Sequence, residues 1–162
     1  AIEPRLTRHK ITTLAQTQGA SRQQLLAQFR TEGSRSVLLG TRSFWEGVDV
    51  PGPALSALIL VKLPFDVPSD PIFAARSETY ENPFFEYSIP EAVLRFRQGF
   101  GRLIRRTTDE GVVLVLDKRV LTKRYGQMFL EALPGCTVIR QRGDRIAELI
   151  DRWFARDRSR KG

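Results

Sequence analysis

A glutamine and three arginines recur with helical spacing within residues 88–106. At 100° per residue, Arg95, Arg102 and Arg105 all lie within roughly 60° of Gln98 around a helix axis. The apolar residues of the segment fall near the opposite pole, namely Val93, Phe96, Phe100, Leu103 and Ile104. The spacing therefore predicts an amphipathic helix that packs on a sheet and presents a row of guanidinium groups on its other side.

The composition of this polar row favours phosphate binding. The planar guanidinium of arginine donates two parallel hydrogen bonds to phosphate oxygens, and such donors stabilise the charge that develops in phosphoryl transfer. A solvent-exposed face normally pairs Glu with Lys, whereas this row has no lysine and no acid after Glu91. Gly99 and Gly101 flank the row and allow a ligand to approach the backbone, although each costs a helix about 1 kcal/mol. An ordinary amphipathic helix with a basic outer face is the alternative.

A second candidate segment, TRSFWEGVDVPG at residues 41–52, follows the apolar run SVLLG. In open parallel sheets, ligands bind at the carboxyl ends of strands, where this loop is expected. Gly47 permits a tight turn, and Asp49 could accept hydrogen bonds from ribose hydroxyls or from an arginine. Thr41 and Ser43 offer hydroxyl groups to a phosphate. Alone, the segment also fits an ordinary connector rich in glycine and proline.

Three other side chains of functional type are weaker candidates. Trp45 could stack on a nucleic-acid base, although a tryptophan between strands more often belongs to the core. Cys136 is the only cysteine and His9 the only histidine, so the pair cannot form a zinc or iron–sulfur site alone. We expect Cys136 to lie in the core and no metal site in this chain. A single thiol fits a reducing, cytoplasmic setting.

The elements that position these residues alternate between strands and helices. Apolar runs predict five strands, at 11–16, 36–40, 55–63, 111–117 and 136–140. Helices are expected at 21–33, 71–80, 88–106, 122–133 and 144–156. Ser21 with Gln24, and Ser88 with Glu91, have the spacing of capping boxes. The order predicts an α/β fold with a mostly parallel sheet, helices on both faces and right-handed connections.

The 162 residues carry a formal net charge of +8, from 26 lysines and arginines against 18 acids. Such a balance favours polyanionic partners, because bound cations release counterions from a phosphate backbone. A solvated basic face explains the charge equally well. No apolar run reaches the roughly 20 residues of a membrane span, and the first residues lack a signal-peptide core. We therefore expect no membrane contact, and a disordered basic tail at 157–162.

Together the two candidate segments resemble motifs of superfamily 2 helicases. TRSFWEGVDVPG at 41–52 is similar to motif V, and QGFGRLIR at 98–105 is similar to motif VI. SFWEGVD combined with RQGFGRLIRR most closely resembles the DinG branch, which is related to the XPD helicases. The likeness spans roughly residues 20–140, and includes LPF at 63–65, DP at 70–71 and LDKRVLTKRYG at 116–126. It implies a RecA-like fold for the second of two motor domains.

The resemblance also implies roles on the nucleotide side. Arg105 corresponds to the arginine finger, and Arg102 to the other motif VI arginine that faces the phosphates. Gln98 corresponds to the motif VI glutamine of the same site. Asp49 and Gly47 correspond to motif V residues near the nucleotide sugar and the interdomain cleft. Glu46 belongs to the SFWEGVD sequence that is typical of the DinG branch, and the resemblance places it on the nucleotide side as well.

On the DNA side, the resemblance implies that Thr41 places its hydroxyl on the nucleic-acid backbone. The neighbouring motif V side chains expected along the same track are Arg42, Ser43 and Trp45. Members of the family couple ATP hydrolysis to 5′-to-3′ movement on single-stranded DNA. Single-stranded DNA and the first RecA-like domain of the same full-length chain are therefore the expected partners.

Several parts of such a helicase have no counterpart in these residues. No GxxxxGK[ST] loop, no DEAH-type acidic motif and no four-cysteine set occurs. ATP and Mg²⁺ would thus be held mainly by the first motor domain, and any iron–sulfur cluster would belong there as well. We expect the chain to be a fragment that does not turn over ATP alone. Its expected parts are a remnant of the preceding segment with a weak strand at 1–20, the RecA-like domain at 21–156, and the tail at 157–162.

A basic α/β module that binds nucleic acid without an ATPase role is the rival hypothesis. Plain binding to a phosphate backbone does not require a glutamine and an aspartate, so Gln98 and Asp49 favour the helicase interpretation. A Rossmann-type enzyme has little support, because no G-x-G-x-x-G sequence follows a predicted strand.

Overall fold

A computed structural model describes residues 2–16, 20–32, 35–41, 44, 50, 55–67, 69–103 and 110–160, with side chains as far as 156. The strands in these ranges are β1 (Thr12–Ala15), β2 (Ser36–Leu39), β3 (Ala57–Leu60) and β4 (Val112–Val115). The helices are α1 (Glu3–Arg8), α2 (Arg22–Glu32), α3 (Pro71–Ser77), α4 (Ile89–Leu103), α5 (Arg119–Thr122), α6 (Gly126–Glu131) and α7 (Ile146–Arg160). None of these helices is both long and apolar enough to span a bilayer.

All the described strand pairing is parallel, which confirms the predicted α/β class. β1 pairs with β2, and Leu14 lies opposite Leu38. β3 pairs with β4, and Leu60 lies opposite Val115. Four of the five expected strands therefore form, each shorter than its apolar run.

The expected fifth strand at 136–140 is wrong, because these residues form no ladder in the structure. Val138 is 50% exposed and Ile139 is 62% exposed. The predicted core position of Cys136 is also wrong, since its thiol is exposed. β-branched residues favour a strand, but a strand forms only where a neighbouring chain takes up its backbone hydrogen bonds.

Two hydrophobic clusters hold the described elements together. The amino-terminal cluster contains Leu14, Leu25, Leu26, Phe29 and Val50, which belong mainly to β1 and α2. The central cluster contains Leu60, Leu63, Ala92, Phe96, Val120 and Phe129. In the central cluster α4 contacts β3 and α6. The central cluster therefore fixes the helix that carries the predicted phosphate-binding row.

The start of α2 confirms one predicted cap. The Ser21 N–H donates to Gln24 Oε1 at 3.0 Å, and the Gln24 N–H donates to Ser21 Oγ at 3.2 Å. Asp70 caps α3 by accepting from the N–H groups of Ile72 and Phe73, with Pro71 in the first turn as expected. The prediction for Ser88 is wrong, because a π-helical turn at Phe84–Ser88 runs directly into α4. Ser88 Oγ donates instead to a backbone carbonyl of the preceding turn.

The helix expected at 122–133 is shorter than predicted, because α6 covers only Gly126–Glu131 and Thr122 ends the separate helix α5. Lys123 between them is extended, with φ −103° and ψ 144°. A Cβ on Gly126 would lie 2.2 Å from the Val120 carbonyl oxygen, so only glycine permits this close approach. At the carboxyl end, α7 follows a short 3₁₀ turn at Gly143–Arg145 and its backbone continues to Arg160.

Candidate functional site

The helix α4 is preceded by a reciprocal cap at Asn82, six residues before the predicted cap at Ser88. Asn82 Oδ1 accepts from the Phe85 N–H at 3.4 Å, and the Asn82 N–H donates to Glu86 Oε2 at 3.2 Å. These bonds satisfy backbone donors that have no partner within the helix. The resulting helical segment positions the predicted row of polar side chains.

One face of α4 is buried as its periodicity predicts. Its buried residues are Ile89, Ala92, Phe96, Gly99, Phe100 and Leu103. Phe96 is 1% exposed, and its ring meets that of Phe129 edge to face at 5.4 Å between centroids. Phe129 in turn contacts Phe65, which follows β3. This packing fixes the rotation of α4 about its axis, and thereby the direction of its polar face.

Gln98 and Arg102 lie one helical turn apart on the opposite side of α4. The side chain of Gln98 is exposed, whereas Arg102 is half-buried. Arg102 Nε is buried and has no hydrogen-bond partner within the described part of the chain. Arg102 also forms no ion pair with a carboxylate among the described residues, so its half-buried guanidinium keeps a charge that an anionic group from outside the domain can compensate.

Arg95 does not belong to this available row, contrary to the sequence interpretation. Its Nη1 donates to Asp66 Oδ2 at 2.6 Å, and its Nη2 donates to Glu91 Oε2 at 3.1 Å. The side chains of Arg95 and Asp66 are only 15% and 3% exposed. Two carboxylates of this chain therefore already compensate the guanidinium, and its role in the structure is to hold α4 against the segment after β3.

A further buried carboxylate, which the sequence interpretation did not single out, joins the carboxyl ends of β3 and β4. Asp117 Oδ2 accepts from the Leu63 N–H at 2.9 Å and from Arg119 Nη2 at 2.6 Å. The hydrogen bonds from the Arg119 side chain hold the pKa of Asp117 well below its usual range, while burial opposes this shift. The Arg119 guanidinium also lies 5.3 Å from the centre of the Phe65 ring. The LDKR sequence after β4 was the available signal for this arrangement.

The motif V segment is described only in part. Thr41 is exposed and follows β2 by two residues, and its carbonyl accepts from the Phe44 N–H at 3.0 Å. The remaining predicted site residues lie outside the described residues, namely Arg42, Ser43, Trp45, Glu46, Gly47, Asp49 and Arg105. The structure thus brings Gln98 and Arg102 together, and it places Thr41 at the carboxyl end of a parallel strand.

Comparison with known families identifies what this arrangement belongs to. The family described as the helicase C-terminal domain matches residues 1–136, from before α1 to just beyond α6. The chain belongs to this family. The match includes the motif V segment, the whole of α4 and the Asp117 connection, whereas α7 lies beyond it.

Individual relatives of this helicase C-terminal domain come from several bacteria. It is 47% identical over 124 residues to the 3′-5′ exonuclease DinG of Bacillus subtilis, covering 74% of this chain and 13% of that protein. It is 50% identical over 118 residues to the ATP-dependent DNA helicase YoaA of Haemophilus influenzae, covering 70% of this chain and 18% of that protein. It is 40% identical over 131 residues to the ATP-dependent helicase DinG of Mycobacterium tuberculosis, covering 78% of this chain and 20% of that protein. The chain thus spans about a fifth or less of the length of these relatives.

Proposed function

We propose that this helicase C-terminal domain is the second motor domain of an ATP-dependent DNA helicase. In this proposal it supplies arginines to an ATP site and forms part of a track for single-stranded DNA. Two of the relatives are named as ATP-dependent helicases, and their identity with this chain is 50% over 118 residues and 40% over 131 residues. The family match over residues 1–136 supports the same function.

The observation that carries the proposal is the contrast between two arginines of one helix. Arg95 is compensated by Asp66 and Glu91, whereas Arg102 forms no ion pair with a carboxylate among the described residues. A cationic donor that the domain does not satisfy itself suits an anionic ligand such as a nucleotide phosphate. The exposed amide of Gln98 one turn away offers a further donor and acceptor to the same ligand.

The chemistry assigned to this domain is electrostatic. The sequence holds no GxxxxGK[ST] loop, so the first motor domain would bind the phosphates together with Mg²⁺. Arg102 and Arg105 would then approach the phosphates from across the cleft and stabilise the charge that develops during hydrolysis. Because these contacts exist only in the closed arrangement, the nucleotide state would set the spacing of the two domains.

The motif V residues complete the proposed site on both sides. Asp49, Gly47 and Glu46 would lie on the nucleotide side of the cleft. The DNA side would comprise Thr41, Arg42, Ser43 and Trp45, with hydroxyl and guanidinium groups on phosphates and the indole on a base. Alternate opening and closing of the cleft would then move the single-stranded DNA relative to the two domains.

Substitutions in the full-length protein test the ATP role. We expect Arg102→Ala and Arg105→Ala each to lower kcat for DNA-stimulated ATP hydrolysis, because each removes a cation from the phosphates. The effect of an arginine finger is about 10³- to 10⁵-fold. The affinity for single-stranded DNA, measured without ATP, should stay within a factor of about two, since neither change touches the proposed DNA track.

Arg97→Ala is the matched control, because Arg97 is exposed on the same helix and points away from the row. It should retain near-normal turnover. If Arg102→Ala and Arg105→Ala also retain normal turnover, the motor assignment is wrong. The net charge of +8 would then favour a nucleic-acid-binding module without ATPase activity.

A further inference from the structure

The carboxyl ends of β3 and β4 form a shallow depression of about 380 Å³. Its lining consists of Val61, Lys62, Leu116, Asp117, Lys118 and Arg119. The two strands are parallel and in register at Leu60 and Val115, so the residues that follow them leave the sheet side by side. Such strand ends are the usual place for ligands in parallel α/β sheets.

The depression has an apolar floor that the domain leaves open to solvent. Val61 is 67% exposed and Leu116 is 52% exposed. The Leu116 N–H donates to the Leu60 carbonyl at 2.8 Å, which holds the two apolar side chains next to each other beyond the strands. Adjacent exposed aliphatic side chains offer a surface for the flat face of a base or for a sugar.

The charge of the depression is positive because its acid is already neutralised. Asp117 is bound by Arg119 at 2.6 Å, so this carboxylate adds little repulsion toward an anion. Lys62 and Lys118 are both exposed, and neither forms an ion pair with a carboxylate among the described residues. Two uncompensated ammonium groups thus flank the apolar floor.

The depression is remote from the arginines of α4. A Cβ on Gly111, just before β4, would lie 2.7 Å from Leu103, so the end of α4 packs beside the start of that strand. Leu116 in the lining of the depression lies beyond the other end of β4, and a strand rises about 3.3 Å per residue. Arg102 therefore lies toward the amino ends of the β3–β4 pair and the depression lies at its carboxyl ends, so the two are separate sites.

We propose that this strand-end depression binds single-stranded DNA. Lys62 and Lys118 contact neighbouring phosphates of the backbone, and Val61 with Leu116 packs against the sugar or base between them. An apolar floor between two cations fits an unpaired strand, whose bases are free to face the protein, better than a duplex. The inference rests on the proposed function for its choice of polyanion, and it adds a contact outside motif V.

The salt dependence of binding tests this contact in the full-length protein. The Kd of a fluorescent oligothymidylate is measured by anisotropy at several salt concentrations, without ATP, for wild type and Lys62→Gln/Lys118→Gln. Each lost phosphate contact should lower the slope of log Kd against log salt concentration by about 0.7. The slope for the double variant should therefore be about 1.4 lower than for the wild type. The Kd at low salt concentration should be higher for the double variant than for the wild type.

Lys10→Gln/Lys123→Gln is the matched control, because these lysines are exposed and lie outside the depression. It removes the same charge and should leave the slope unchanged. An unchanged slope in Lys62→Gln/Lys118→Gln, or an equal loss in the control, would overturn the proposed contact. The ATPase test with Arg102 and Arg105 is independent: if those variants hydrolyse ATP normally while the lysine variant loses slope, the motor role fails and the DNA contact stands.

Discussion

Arg95 and Arg102 lie seven residues apart on α4, and their different surroundings separate their functions. Arg95 is held between Asp66 and Glu91, at 2.6 and 3.1 Å, so its charge is used within the domain. Arg102 is half-buried, and its Nε has no acceptor among the described residues. A guanidinium compensated inside a domain stabilises the fold, whereas one without an acceptor is suited to a ligand.

The ion pair of Arg95 can be tested through the free energy of unfolding. We expect Arg95→Ala to lower it by about 3 kcal/mol, because the Asp66 carboxylate, 3% exposed, would lose the guanidinium that compensates it. Urea denaturation followed by circular dichroism measures the change. The control is Arg152→Ala, which breaks an exposed i,i+4 pair with Glu148 and should cost about 0.5 kcal/mol or less. Equal losses in the two variants would contradict the structural role of Arg95.

At the scale of elements, the carboxyl ends of β3 and β4 are joined by one buried side chain. Asp117 accepts from the Leu63 N–H after β3 and from Arg119 at the start of α5. The same arrangement orders Phe65, which packs against Phe129 and faces the Arg119 guanidinium. A single carboxylate thus connects the strand pair to the helices that support α4.

This connection should depend on pH in a defined direction. Arg119 and the Leu63 N–H lower the pKa of Asp117 in the folded protein, so its contribution is complete above the unfolded value of about 3.9 and is lost as the pH falls below it. We expect Asp117→Asn to reduce the free energy of unfolding by about 2 kcal/mol at pH 7. Urea denaturation at pH 7 and at pH 3 should show a smaller difference between wild type and variant at pH 3. A difference that stays constant would rule out this role for the ionised carboxylate.

At the scale of the whole molecule, two hydrophobic clusters of the described residues differ in how completely their side chains are buried. In the central cluster Ala92, Phe96 and Phe129 are at most 1% exposed. The other buried residues of the central cluster, and all those of the amino-terminal cluster, are 3–7% exposed. The family match covers both clusters, so the proposed nucleotide-facing helix lies in the better-packed part of a shared domain.

Amide hydrogen exchange should reveal this difference in burial between the two clusters. Amides in the middle of α4 should exchange at least about tenfold more slowly than those in the middle of α2, because opening α4 exposes fully buried aromatic side chains. Mass spectrometry of peptides from the two helices measures the rates, with each corrected for its intrinsic exchange. Faster exchange in α4 than in α2 would show that the central cluster is not the more stable part.

Local patterns in the sequence determined several features of this protein. The 3.6-residue period fixed the buried face of α4, and the spacing of Ser21 and Gln24 fixed the start of α2. Apolar runs located β1 to β4, and the motif V and motif VI sequences indicated the helicase family. These features depend on neighbours within a few residues, which is why spacing alone predicts them.

Tertiary structure decided the features that depend on distant partners. Arg95 donates a hydrogen bond to Asp66, which is 29 residues away in the sequence. Asp117 accepts one from the Leu63 N–H, which is 54 residues away. Residues 136–140 have strand composition but no ladder, and the close approach of Gly126 to Val120 accompanies the break between α5 and α6. Residue type states what a side chain can bind, but only the fold decides which groups come within hydrogen-bond distance. For that reason the sequence predicted a row of arginines, and the structure showed which of its described members is already neutralised.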